Sequence, residues 1–360
     1  MINDSMILSV DAMGGAYAPG VIIEGMASIA RKYPKVRYII FGDADKIFSL
    51  LSAYPILEDK CEVVHCSTFI TDEQPPVLAL KKGKESSMRK AIDALHEGKA
   101  NACISGGNTG ALMVIAKMVL GTIHGIKRPA IVSIYPNFNE GVVMLDLGAN
   151  AECDAHNLFQ FALMGHCFAQ IVLKKHSPSI GILNVGTEEN KGRDIDKKAY
   201  GLLKASNLNF FGYIEGDDII KGTVNVVVTD GFSGNIVLKT SEGLARICKE
   251  MIKITFQSSI LSRIAGLLVA HNFKKISDRL DPRSHNGAML IGVDGIVVKS
   301  HGSSDAIGFA NALEVTINLV KRNINDEISE MLAQISNQDG LAKPTLVSKI
   351  KKKLGLGFKF

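Results

Sequence analysis

The chain has 360 residues, with 41 Lys+Arg against 36 Asp+Glu for a formal charge of +5, and it is 46% hydrophobic and 21% charged. That balance belongs to globular proteins and excludes a disordered chain. The basic excess is confined to residues 341–360, which hold six lysines and no acid, so residues 1–340 carry −1 and lack the basic stripe of a nucleic-acid binder.

Short β-branched runs alternate with helical patterns, which predicts an α/β fold with a largely parallel sheet. In chain order the expected strands are Met6–Val10, Val36–Phe41, Ala102–Ser105, Ala130–Tyr135, Val142–Leu147, Ile180–Val185, Val224–Thr229 and Ile296–Lys299. Most are apolar on both faces, as strands covered by helices on each side should be. From Ile236 to about Leu280 the pattern is mostly helical, with Ile260, Leu261, Ile264, Leu267 and Leu268 on one face. Two readings of this region stand side by side: a helix pair packed on the body or in a dimer interface, and an apolar tip that touches a membrane. No internal repeat is visible. The expected organisation is one large α/β/α domain over residues 1–340, with a helical element at 236–285, followed by a basic amphipathic tail at 341–360. In that tail Leu346, Val347, Ile350 and Leu354 share a face among lysines, which suits either a solvated tail or an anchor on anionic lipid.

No apolar run of membrane-spanning length is expected, because Lys117 and Arg263 interrupt the best candidates. The N-terminus reads as free of a signal peptide. The six cysteines include no C-x-x-C pair, which predicts neither a zinc ribbon nor a disulfide framework and suits a reducing cytosol.

Polar, glycine-bearing loops follow the strands: Asp11-Ala-Met-Gly-Gly15, Ser105-Gly-Gly-Asn-Thr-Gly110, Asp146-Leu-Gly-Ala-Asn150, Val185 to Gly192, and Thr229-Asp-Gly-Phe-Ser-Gly-Asn235. Glycine lets backbone approach a ligand, and a following helix offers free N–H donors, so such loops suit phosphate. One loop alone is ordinary turn chemistry. Five of them at one carboxyl edge of a parallel sheet would make a site. Other chemistries lack their signatures. There is no Walker A sequence, no dinucleotide fingerprint opening a helix and no H-E-x-x-H, while Gly231-Phe-Ser-Gly-Asn235 does not make a nucleophile elbow around Ser233. Asp278 and Asp281 stand beside Arg279 and Arg283 and read as a charged surface. No metal, cofactor or covalent nucleophile is expected.

Taken together, these loops resemble the PlsX phosphate acyltransferase family. The resemblance is carried also by Gln160-Phe-Ala-Leu-Met-Gly165, Leu183-Asn-Val-Gly186 with Asn190-Lys-Gly192, Asn286-Gly-Ala288 and Lys299-Ser-His-Gly302, in order from about Met6 to Val320. Two positions depart from the family pattern: Ala16 stands where Asp is usual, and Ser-His-Asn-Gly around His285 replaces Tyr-Gly-Gly. The resemblance implies a three-layer α/β/α fold like that of phosphotransacetylases and isocitrate/isopropylmalate dehydrogenases. It implies transfer of a fatty acyl group from acyl carrier protein to inorganic phosphate, by a homodimer at the cytoplasmic membrane face that hands its product to a membrane acyltransferase. It also points to Lys191 and Asn235 as catalytic.

The expected phosphate and substrate set comprises Asp11, Gly14 and Gly15; Ser105, Gly106, Gly107, Asn108, Thr109 and Gly110; Asp146 and Asn150; Asn184; Asp230, Ser233 and Gly234; and His301. Backbone N–H groups of Ser105–Gly110 and of Asp230–Asn235 would hold phosphate. The three aspartates would orient loops, and His301 would either assist proton transfer or be structural. For Lys191 the competing reading is a surface ion pair with Glu188 or Glu189, and for Asn235 it is helix capping. Three other functions compete with this reading: a nicotinamide-dependent decarboxylating dehydrogenase, a phosphotransacetylase-like enzyme using acyl-CoA, and a non-enzymatic phospho-ligand or membrane-binding regulator. The dehydrogenase lacks its acid cluster and cofactor loop here.

Overall fold

A computed structural model describes residues 6–266, 268–269 and 281–338. Eleven strands form one sheet: β1 (Met6–Asp11), β2 (Val36–Gly42), β3 (Cys61–His65), β4 (Ala102–Ser105), β5 (Ala130–Tyr135), β6 (Val142–Leu145), β7 (Ile180–Leu183), β8 (Phe210–Ile214), β9 (Val226–Val228), β10 (Ala288–Ile291) and β11 (Val297–Lys299). Their order is β3-β2-β1-β4-β11-β10-β5-β6-β9-β7-β8. The eight expected strands form, most with ends shifted by one or two residues. β3, β8 and β10 were not expected. They are short, and β3 and β8 sit at the two edges of the sheet, where one flank needs no apolar partner.

The helices are α1 (Gly20–Ala30), α2 (Ala44–Leu51), α3 (Pro76–Lys82), α4 (Ser87–His96), α5 (Thr109–Leu120), α6 (Ala155–Leu173), α7 (Asp194–Lys204), α8 (Gly216–Lys221), α9 (Gly231–Gln257), α10 (Ala306–Lys321) and α11 (Ile324–Gln338). They cover both faces. One core holds Ile22 and Met26 of α1, Phe161 and Met164 of α6, Leu203 of α7 and Leu313 of α10. The other holds Ala79 of α3, Ile92 of α4, Leu112 and Ile115 of α5 and Ile219 of α8. This is the three-layer α/β/α arrangement, with strands apolar on both faces because each face meets helices.

All pairings are parallel except three at the centre, β11 with β10, β10 with β5, and β5 with β6. The strand direction therefore inverts across the middle. β1, β2, β3, β4 and β11 point one way, while β6, β9, β7 and β8 point the other. The five glycine-bearing loops consequently do not share one edge. Those after β1 and β4 open at one edge, here called the upper edge, and those after β6, β7 and β9 open at the opposite, lower one.

α9 joins the two edges. It starts at the lower edge, where Gly234 packs on Asp146, and rises past the end of β5, where Ser241 bonds the Tyr135 hydroxyl. Only its first part lies on the body. Ile236, Leu244, Ile247, Met251 and Ile254 form an exposed stripe, and beyond the bend at Ser258 and Ser259 the side chains of Ile260, Leu261, Ile264 and Leu268 are exposed as well. The expected helical character of 236–266 holds, but packing of this element on its own body does not. Leu267, the basic residues expected after the stripe and the 341–360 tail lie outside the described residues.

Candidate active site

At the upper edge three loops lock together. Ser105 Oγ donates to the Asp11 carboxylate at 2.6 Å and accepts from Gly107 N–H at 3.0 Å. Gly14 lies against the same turn: a Cβ there would sit 2.5 Å from Gly107 N. The neighbouring Ala16 N–H donates to Gly302 O at 2.8 Å, which ties in the loop after β11. Gly15 faces the same carbonyl, and Gly106 packs on Gly14 O. Asp11 is buried, and that burial pushes its carboxyl above the usual carboxylate range despite the bonds from Ser105 and Met13.

Asn108 caps α5, its Oδ1 accepting from Ala111 N–H at 3.0 Å, while its Nδ2 donates to Asp72 O at 2.8 Å and Gln74 O at 3.0 Å. Its side chain is thereby spent on structure. The next two N–H groups of the helix, on Thr109 and Gly110, meet no protein acceptor among the described residues. Beside this turn stands Lys299, at the end of β11, donating to Gly106 O at 3.1 Å and to Ser300 O. Burial pulls its ammonium down to about 8, against the attraction of Asp72 and Asp11. An amine held among carbonyls, next to open N–H donors at a helix start, suits an anion. His301 lies farther out, its Nε2 2.6 Å from Lys239 Nζ. Partial burial and the Lys239 charge push this imidazole below its ordinary value, so it favours the neutral form.

The lower edge is built on Asp146. Its Oδ1 accepts from Ile131, Gly148 and Ala149 N–H, and its Oδ2 from Asn150 N–H at 2.7 Å and Asn150 Nδ2 at 2.8 Å. Burial pushes this carboxyl up against the pull of those donors. Asn150 also donates to Pro129 O and accepts Gly231 N–H on its carbonyl, so Asp146 and Asn150 fasten loops. Asp230 caps α9 through Ser233 N–H at 2.7 Å and accepts from Arg193 Nη1 at 2.5 Å. Burial opposes its ionisation, but the Ser233 and Arg193 donors prevail and hold it below the usual range.

These bonds narrow one expectation. The N–H groups of Gly231, Ser233 and Gly234 go to Asn150 O, Asp230 Oδ1 and Asp230 O, which leaves Phe232 N–H as the one donor of the first four without a protein acceptor among the described residues. Gly234 is there for contact, since any side chain would strike the Asp146 carbonyl. That contact brings Asn235, exposed and next to Gly148, to the rim.

Lys191 projects from the loop after β7, its stem against Gly186. Glu189 is taken by Lys204 and Tyr200, both at 2.7 Å, and Lys191 has no ion-pair partner among the described residues. The expected alternative of a Glu188 or Glu189 pair is not made. Asn184, at the end of β7, packs against Gly192 with its Nδ2 buried and unpaired.

Three residues outside the expected set belong to this geometry. Lys299 had a signal, a lysine closing an apolar strand ahead of Ser-His-Gly. Lys239 stands four residues after Asn235, about 6 Å up the same side of α9, so it links the two edges. Arg193 had no sequence signal, because its partner Asp230 is 37 residues away.

A family model described as fatty acid synthesis protein matches residues 6–327. A phosphate acyltransferase of Rhodospirillum rubrum is 43% identical, covering 93% of this chain and 96% of its own length. One from Rhodospirillum centenum is 48% identical over 93% and 95%. Among solved structures, a phosphotransacetylase from Streptococcus pyogenes has a TM-score of 0.59 at 17% identity, covering 89% of this chain and 95% of that one. EutD phosphotransacetylase from Staphylococcus aureus has a TM-score of 0.54 at 15% identity, over 88% and 94%. These two likenesses concern the fold. On its sequence, the chain belongs to the PlsX family of phosphate acyltransferases and is an acyltransferase.

Proposed function

We propose that this protein transfers a fatty acyl group from the thioester of acyl carrier protein to inorganic phosphate. The products are acyl phosphate and the free carrier thiol, and a membrane acyltransferase then uses the acyl phosphate in phospholipid synthesis. The observation that carries the reading is the pair Lys191 and Asn235. An exposed ammonium without an ion-pair partner among the described residues and an exposed amide stand beyond the carboxyl ends of the neighbouring strands β7 and β9.

Phosphate is an anion at neutral pH and attacks the thioester carbonyl carbon directly, with no covalent enzyme intermediate. The C–O bond forms, the tetrahedral oxyanion collapses, the C–S bond breaks, and the sulfur leaves as thiolate to take a proton from water. A pantetheine thiol has a pKa of roughly 8.5, so it leaves with little acid help. What the protein must supply is alignment and charge stabilisation. Lys191 offsets the phosphate charge, and Asn235 donates to phosphate or to the oxyanion. Thr109, Gly110 and Lys299 form the second anion-holding element, reached along α9 through Lys239.

The exposed stripe of α9 is the surface on which a second copy packs as a homodimer, and Ile260, Leu261, Ile264 and Leu268 form the tip that meets the cytoplasmic face of the membrane. Full-length protein should lose vesicle binding when residues 341–360 are removed, if the tail anchors it; unchanged sedimentation with anionic vesicles leaves the tip as the only anchor.

The deciding experiment is phosphate-dependent loss of acyl carrier thioester, with acyl phosphate trapped by hydroxylamine as hydroxamate. Absence of hydroxamate at every chain length would sink the reading. The likeness to phosphotransacetylases favours one alternative donor, acyl-CoA. Higher kcat/KM with acyl-CoA than with the carrier thioester would select it.

A further inference from the structure

We infer that Arg193 is a positioning residue, which sets the Lys191 loop in register with the helix that carries Asn235. The inference rests on the roles proposed above for those two residues. The loop from Val185 to Gly192 is otherwise exposed at most positions, and Lys191 is attached to the body only through its neighbours. On one side Gly192, at φ +86°, lies so close to the Asn184 amide that a side chain there would strike it. On the other side the Arg193 guanidinium spans two buried carboxylates. Its Nε and Nη2 donate to Asp196 at 2.9 and 3.0 Å, and its Nη1 donates to Asp230 at 2.5 Å. The Asp196 and Asp230 side chains are 5% and 3% exposed.

Asp196 is fixed in the first turn of α7, and Asp230 caps α9 through Ser233. From Arg193, two residues beyond Lys191, the planar fork therefore bolts the first turn of α7 to Asp230, the cap of α9 five residues before Asn235. A lysine at this position carries the charge but reaches only one carboxylate. A misplacement of about 1 Å at reacting groups costs roughly a hundredfold in rate, so a bolt at this place acts on kcat more than on substrate binding.

The test uses the full chain and the hydroxamate assay. Arg193→Gln should lower kcat at least about tenfold while KM for the acyl donor stays within about twofold, when assayed well below its Tm. Arg193→Lys should recover part of that loss. A kcat within twofold of wild type in Arg193→Gln would overturn the inference, as would a loss that Arg193→Lys does not relieve at all. If Arg193→Gln does not fold, Asp196→Asn removes the charge from the other half of the fork and is held to the same outcomes.

A second measurement needs no turnover. After reductive 13C-methylation, the Lys191 resonance is assigned by its absence in Lys191→Arg. Arg193→Gln should change its shift and narrow it toward the exposed lysines; an identical shift and width would overturn the inference even if the wild type yields no hydroxamate. Failure of the acyl-transfer reading is thus seen in the wild-type assay, and failure of the bolt in the lysine spectrum.

Discussion

The two edges of this sheet present similar sequences and opposite solutions. At the upper edge the helix start is open: among the described residues Thr109 and Gly110 keep free N–H groups, and the cation, Lys299, is turned inward among carbonyls. At the lower edge the helix start is mostly taken up by Asp230 and Asn150, and the proposed functional groups, Lys191 and Asn235, are side chains projecting from the rim. The same motif, a polar residue and glycines before a helix, thus yields a backbone cradle in one case and a side-chain platform in the other. What separates them is the use of the N–H groups, which depends on whether an acceptor from another loop arrives.

The largest effect should come from Lys191→Ala. If the lower platform carries the chemistry, loss of one transition-state partner costs about 3–4 kcal/mol, a fall of roughly 10²–10³ in kcat measured by hydroxamate formation. Full turnover in that variant would break the comparison. Gly234→Ala attacks the same platform through its foundation. The added methyl meets the Asp146 carbonyl, which cannot swing away, so the destabilisation should be about 3 kcal/mol and visible as a lower Tm in calorimetry. An unchanged Tm would mean that α9 slides freely on its loop.

The upper cradle is sharpened by pH. The Lys299 ammonium is pulled down to about 8, whereas an unfolded lysine titrates near 10.4. Between those values the unfolded chain binds more protons than the folded one, so stability rises with pH across the window. Below about pH 8 both forms are charged and the burial cost is present in full. Lys299→Met should flatten that rise in a series of melts from about pH 7.5 to 10.5. It should also raise the phosphate KM, and the wild-type phosphate KM should rise above pH 8 as the charge is lost. The smallest effect is expected from His301→Gln, with kcat changing less than about fivefold. General acid–base catalysis contributes 10²–10⁴, so a hundredfold loss would move a proton-transfer step to the upper edge.

Much of this was legible in the chain. Apolar runs such as Ala130–Tyr135 and Ala102–Ser105 are strands from end to end, because burial on both faces leaves a continuous signal. The loops that follow them were visible for the converse reason, since polar and glycine residues interrupt those runs. The inversion of the sheet was harder to see, yet it too left a trace. Six residues, 136–141, join β5 to β6, and five, 292–296, join β10 to β11. Such links are long enough for a hairpin and too short for a parallel crossover. Placing all five loops at one carboxyl edge ignores that constraint, and with it the separation of the loops into two groups.

By itself the sequence determined the α/β alternation, the glycine-bearing loops, the helical character of the described 236–266 region and membership of the family, because each depends on residues near one another in the chain. Tertiary structure decided which loops meet, which N–H groups remain open, and that among the described residues Lys191 stands without an ion-pair partner while Arg193 has two. Those outcomes depend on acceptors that arrive from elsewhere, such as Asp230 for Arg193 and Asn150 for Gly231. Hydrogen bonding is settled by distance in space, and apolar periodicity carries no record of it.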